Sequence, residues 1–244
     1  MNREQQLTEA LVSLADSFAD DVDPVVLLDR LAANCAELTG AEAVGVMMAP
    51  LRGGLRTMAV TDDRAALLEF FQLQADEGPC VDCYRQGERV DALDLAGAGG
   101  GRWAVVGPLA RAAGFGSAHA LPLRVHQQTI GAVNLLVAQA GGLPEPELSL
   151  AQALADVTAV ALVSWSPYPV RADDISSRVQ AAIAAKATVE IAGGMIAEYG
   201  GLSVTQAQHV LRAYAVRSRE RLTHVAHALV QRTLPPDTVL TTSS

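Results

Sequence analysis

The chain has 244 residues, half of them hydrophobic, and 27 acidic side chains against 18 basic ones give a net charge of −9. Length and apolar content suit two domains with sizeable cores, and the acidic balance argues against whole-chain binding to a polyanion. Three cysteines, Cys35, Cys80 and Cys83, are an odd set that argues against a disulfide framework.

The N-terminus, MNREQQLTEAL, is polar and acidic, and no run of about eighteen apolar residues follows. Neither a signal peptide nor a membrane span is expected, which predicts a cytoplasmic protein. Leu7, Leu11, Leu14 and Phe18 form one helical stripe, Asp20 to Pro24 breaks it, and Val25 to Leu38 reads as a second helix. From Ala43 the pattern changes. AVGVMMAP and LRTMAV, separated by an Arg52-Gly53-Gly54 turn, predict a β-hairpin. A helix follows over Arg64 to Gln74, with Leu67, Leu68 and Phe71 spaced for burial. Gly116–Val125 and Gln127–Gln139 predict a second hairpin turning near His126-Gln127, and Leu148 to Trp165 closes this half as a helix. Helices interspersed with hairpins, without a βαβ repeat, predict an α+β fold with a mainly antiparallel sheet.

Ser166-Pro167-Tyr168-Pro169 breaks the helix and stiffens the connection to the remainder. Beyond it Ile175, Val179, Ala182, Ile183, Val189, Ala192 and Ile196 recur at three- and four-residue steps, one buried helical face. Gly200-Gly201 ends that helix, and Ser203 with Gln206 makes a capping box for the next. The second helix turns Val204, Ala207, Val210, Leu211 and Tyr214 inward. Thr223 is the expected cap of a third, with Val225, Ala226, Leu229 and Val230 inward and Pro235-Pro236 as its stop. The expected division is a domain over 1–165, a joint over 166–173, a three-helix bundle over 174–234 and a tail over 235–244. Charge divides too: residues 171–244 carry eight Arg and Lys against six acidic residues, leaving ten against twenty-one elsewhere. Only the C-terminal part is a candidate for nucleic acid.

The ordered set of the alanine-rich helix with Lys186, then AGGMIAEYGGLSVTQA, LRAYA and LTHVAHALV, resembles the ANTAR domain, an RNA-binding module of bacterial transcription antiterminators. LVSLADSFADDVDP, EGPCVDCYRQGERV, AGFGSAHALPLRV and IGAVNLLV resemble a GAF domain, of the kind fused to ANTAR in actinobacterial regulators. The paired resemblance implies a GAF sensory domain that binds an unidentified small molecule. It also implies a homodimer of ANTAR bundles that binds an RNA hairpin in a nascent transcript, with no membrane partner. It places basic contacts at two helix positions seven residues apart. Here they are Lys186 and Gly193, roughly 10 Å apart on one face, so half of that pair has no charge.

Candidate RNA-binding residues are therefore Lys186, Gly193, His209, Arg212, Arg217, Arg219 and Arg221. The four arginines also read as a solvated face complementing a helix C-terminus. Cys80-Val81-Asp82-Cys83 is a CxxC, and Cys80, Cys83 and His119 are the candidates for a ligand pocket or a redox site. A redox switch would draw on Arg85 or Arg89 to stabilise a thiolate, whereas a zinc site would need four ligands and finds two. Gly97 to Gly101 lacks the Gly-Lys-Ser/Thr sequel of a phosphate loop. No Ser-His-Asp set, carboxylate pair or nucleotide fingerprint stands in the sequence, so enzymatic activity is not expected and no cofactor is named. Two rival readings stay open: a sensory or scaffold dimer that has lost RNA binding, and a CxxC thiol redox protein.

Overall fold

The computed structural model describes residues 8, 10, 23–50, 54–95, 97, 100–164 and 172–241. The expected stripe at Leu7 to Phe18, the turn at Arg52-Gly53 and the proline joint at 166–169 lie outside them. The chain forms two units, one built on Leu27–Gln180 and the other on Asp23–Val26 with Ala181–Ser244.

Strand β1 (Ala43–Met48) is buried at every position, because the sheet it belongs to is covered on both faces. Four more strands, β2 (Arg56–Val60), β3 (Val90–Ala92), β4 (Ser117–Val125) and β5 (Gln128–Val137), complete an antiparallel sheet in the order β2-β1-β5-β4-β3. The β4–β5 hairpin turns at His126, whose φ of 54° supplies the left-handed backbone a two-residue loop needs. Because side chains alternate along a strand, Ala43, Met47, Ala118, Ala120, Ala132 and Leu136 share one face. That face packs under α2 (Asp63–Ala75), α3 (Pro79–Gln86) and α4 (Val106–Ala112). The opposite face of β4 packs against α5 (Glu145–Ser164), whose Gln152 amide donates to the Pro122 carbonyl at 3.0 Å. Helix α1 (Pro24–Thr39) is capped by Asp23, which accepts the N–H groups of Val25 and Val26.

Helix α2 differs inside from its expected packing. Leu68 is buried, yet Leu67 is 56% exposed, and the inward positions beside Ala65 and Leu68 are Glu69 and Gln72. Apolar periodicity alone misplaces this face, because two of its inward residues are polar.

Helix α6 (Ala172–Gly200), which belongs to the second unit from Ala181 on, α7 (Val204–Ser218) and α8 (Leu222–Val230) form the expected three helices. Val189, Ala192 and Ile196 pack with Ala207, Leu211, Val225 and Leu229, all at most 1% exposed. The Ser203 hydroxyl accepts from the Gln206 N–H at 3.2 Å while the Gln206 side chain accepts from the Ser203 N–H at 2.9 Å, the expected capping box. Three details differ. Val204, the first residue of α7, is 64% exposed. Helix α8 begins two residues before Thr223 would allow as its cap, with Arg221 at the N-cap and the Thr223 N–H donating to Asp23 Oδ2 at 2.8 Å. The expected tail contains a fourth helix, α9 (Pro236–Thr241), which Pro236 starts instead of only stopping the previous one, and which buries Val239 in the core. Stretches Glu145–Val163 and Ile175–Gly200 reach mean hydropathies of 1.3 and 1.2, long and apolar enough to cross a membrane by length and composition. Both are also helices with buried faces in this fold.

Candidate functional site

The covered face of the sheet has a floor of small residues. Ala120, Asn134 and Gly45 stand side by side on β4, β5 and β1. Glu69 of α2 descends onto that floor so closely that a Cβ at residue 45 would overlap its carboxylate. Only glycine permits this approach. Glu69 is fully buried, and neither of its oxygens has a hydrogen-bond partner of good geometry. Burial pushes its carboxyl up to about 8, with the nearby Thr57 hydroxyl holding it down somewhat. Beside it Asn134 has neither amide atom bonded. Gln72, one turn along α2, accepts the Cys80 N–H at 3.2 Å while its Nε2 is unbonded. Three fully buried polar side chains on this helix face and sheet floor thus keep atoms without partners among the described residues, which is rare in protein interiors.

Cys80 and Cys83 lie at the edge of this cluster, in the first turns of α3, both fully buried and unpaired. Burial raises the Cys80 thiol well above its ordinary value, and the neighbouring Glu69 and Cys83 raise it further. Burial likewise pushes the Cys83 thiol up to about 12, although Arg124 draws it back. The arginines expected to stabilise a thiolate are engaged elsewhere: Arg85 pairs with Asp76, and Arg89 with Asp91 and Glu145 at 3.2 and 2.8 Å. Asp82, between the cysteines, accepts from the Trp103 indole and pairs with Arg102, both at 2.9 Å. The CxxC helix therefore anchors the next loop and presents no thiolate. Among the described residues no group of three or more His, Cys, Asp or Glu is placed to hold a metal.

His119 does not join the cysteines. It alternates with Ala118 and Ala120 along β4, so its ring points to the opposite face of the sheet. There Nδ1 bonds Asp91 Oδ1 at 2.7 Å and Nε2 accepts the Leu143 N–H at 2.9 Å, which fixes the neutral tautomer with its proton on Nδ1. His119 fastens the segment that leads into α5.

In the second unit, Lys186 keeps its side chain only 20% exposed, with Nζ 3.7 Å from Glu190 one turn on. Gly193 is not on an open face. It is buried under Gln208 of α7, whose side chain would overlap a Cβ there, and Gln208 Nε2 reaches the Val189 carbonyl at 3.4 Å. The helix surface that a charged residue 193 would occupy is the contact between α6 and α7. His209, Arg217 and Arg219 are exposed, Arg212 and Arg221 half-buried. Arg217, Arg219 and Arg221 follow one another at the α7–α8 junction, with Arg219 in the left-handed C-cap conformation at φ 56°.

A family model described as GAF domain matches residues 21–163, and a second, described as ANTAR domain, matches 177–230. The chain belongs to the GAF family and carries an ANTAR domain. It therefore joins a sensory module to an RNA-binding one. Among solved structures, the GAF domain of an Acinetobacter phosphoenolpyruvate-protein phosphotransferase aligns over 75% of this chain and 97% of its own, with 14% identity and a TM-score of 0.50, in keeping with the GAF fold. A GAF domain/HD domain protein from Geobacter sulfurreducens aligns over 65% and 95%, with 18% identity and a TM-score of 0.49. A free methionine-R-sulfoxide reductase from Neisseria meningitidis, in complex with its substrate, aligns over 76% and 95%, with 17% identity and a TM-score of 0.47. No curated protein matches the chain. Glu69, Gln72 and Asn134 of the GAF unit were missed in the sequence. The signal for Glu69 and Gln72 is the spacing 65, 68, 69, 72, a helix face hidden because two of its members are polar; Asn134 carries no signal beyond its place in the strand alternation.

Proposed function

We propose that this protein is a cytoplasmic, signal-responsive regulator of transcription antitermination. Its GAF domain senses a small molecule, and a homodimer presents its ANTAR helices to an RNA hairpin in a nascent transcript. The observation that carries this reading is the run of Arg217, Arg219 and Arg221 at the α7–α8 junction of the ANTAR unit. Cations in that position suit a phosphate backbone, which dominates RNA affinity and makes it salt-dependent. The working division places sensing in 1–165, a joint in 166–173, RNA binding in 174–234 and a tail in 235–244.

The test is a titration of hairpin RNA at several salt concentrations with wild type, Lys186→Ala and Arg217→Ala. Removing one cation that touches a phosphate should lower the log–log salt slope by roughly 0.7 to 0.9 and weaken binding to all hairpins alike. Absence of binding by the wild type would leave the rival, a sensory scaffold dimer. The burial of Gly193 and the pairing of Lys186 with Glu190 favour that rival, because they occupy the face the family resemblance assigns to RNA. Light scattering tests the dimer shared by both readings, and a monomer at micromolar concentration would remove it.

A further inference from the structure

Resting on the sensory reading of the GAF domain, we propose that Glu69, Asn134 and Gln72 recognise a small molecule carrying a primary ammonium group, with Glu69 as its counter-ion.

The cluster leaves several polar atoms unused. Glu69 offers two carboxylate oxygens, with only the Thr57 hydroxyl near them, and Asn134 one amide oxygen without a partner among the described residues. A primary ammonium carries three N–H donors and no acceptor, which matches that set atom for atom. Gln72 Nε2 and Asn134 Nδ2 offer two unused donors beside it, suited to a hydroxyl or carbonyl on the same ligand. Charge points the same way. Thr57 and Cys80 lie against Glu69, and among the described residues no arginine, lysine or histidine acts on its carboxyl. A buried carboxylate without a cation is costly, which keeps Glu69 protonated until a cation from outside pairs with it. A metal ion fits less well, since two amide N–H₂ groups would face it and both thiols hold their protons. Small side chains at Ala118, Ala120 and Ala132 line the sheet face around the cluster, while Glu69 itself fills the space over Gly45.

Free of ligand, Glu69 is protonated at neutral pH because burial pushes its carboxyl to about 8. Paired with an ammonium it ionises, so binding releases close to one proton at pH 7.

The experiment uses the full-length protein with propylamine, 3-aminopropanol and β-alaninamide as probes. Butanol is the neutral control, and tetramethylammonium is the cation without N–H groups. Calorimetry in buffers of different ionisation enthalpy counts the protons. The expected result is saturable binding of at least one primary amine, release of about one proton, and a loss of at least about tenfold in Glu69→Gln. No saturable binding of any amine at millimolar concentration overturns the proposal. So does equal binding by tetramethylammonium or butanol, or an undiminished affinity in Glu69→Gln. Should Glu69→Gln not fold, wild-type binding without proton release is the overturning result and proton release the supporting one. The hairpin titration on the same protein keeps the two readings apart: RNA binding without amine binding sinks only this proposal, and the converse sinks only the RNA reading.

Discussion

Gln208 lies across Gly193, and its side-chain amide reaches over that glycine to the carbonyl of Val189. The glycine is thus a packing residue of the α6–α7 contact. Gly193→Lys should destabilise the protein by about 1–3 kcal/mol through overpacking, in place of adding an RNA contact. Gly193→Ala should be near neutral alone, since displacing Gln208 offsets the helix propensity gained. In a Gln208→Ala background the same change should stabilise by about 1 kcal/mol. Chemical denaturation of the four proteins measures the coupling. Additive effects would show that the two side chains do not meet.

The thiols should be inert in the folded state. Burial pushes Cys35 and Cys83 to about 12 and Cys80 well above its ordinary value. At pH 8 a thiol of that pKa is thiolate at a fraction on the order of 10⁻⁴. Iodoacetamide should therefore leave the native protein unmodified by intact mass, and label three cysteines once denaturant is added. Fast labelling of Cys80 or Cys83 in the native state would revive the redox reading.

Local signals carried much of this fold. Ser203 and Gln206 specify their capping box by residue type and spacing alone, and the two hairpins stand out because apolar runs flank turn residues. What the sequence hid depends on contacts between distant segments. Glu69 of α2 is inward only because Gly45, on strand β1, leaves room for it. Gly193 looks like a missing charge until Gln208 is seen above it. His119 and the cysteines are close in type and expected role, yet the alternation of β4 sends them to opposite faces. Strand β3 has three residues and α3 eight, too short for periodicity to declare them.

Glu69 should make stability depend on pH. Its folded value, about 8, lies above the ordinary 4.5, so between those values the folded protein holds a proton that the unfolded chain has lost. Stability contributed by Glu69 is complete below about 4.5 and falls as pH rises toward 8, by up to about 1.4 kcal/mol per pH unit. Glu69→Gln, neutral throughout, should flatten that slope and be the more stable protein at pH 8. Denaturation midpoints from pH 5 to 9 give the comparison. Parallel curves for the two proteins would mean that Glu69 reaches solvent.

Arg219 allows charge and backbone strain to be separated at the α7–α8 junction. It holds φ 56°, ψ 36° at the C-cap of α7, a conformation that costs an ordinary residue roughly 1 kcal/mol and glycine almost nothing. Arg219→Gly should therefore raise stability by up to about 1 kcal/mol while weakening hairpin RNA binding and lowering the salt slope by roughly 0.7 to 0.9. Arg232, also exposed and at φ 60°, follows α8 and is the matched control. Arg232→Gly should gain similar stability and keep its RNA affinity. Because both variants remove one charge from the same backbone conformation, a selective effect in Arg219→Gly locates the RNA phosphate at the junction. Equal weakening would indicate diffuse attraction by net charge, and unchanged binding in both would remove the junction from the RNA surface.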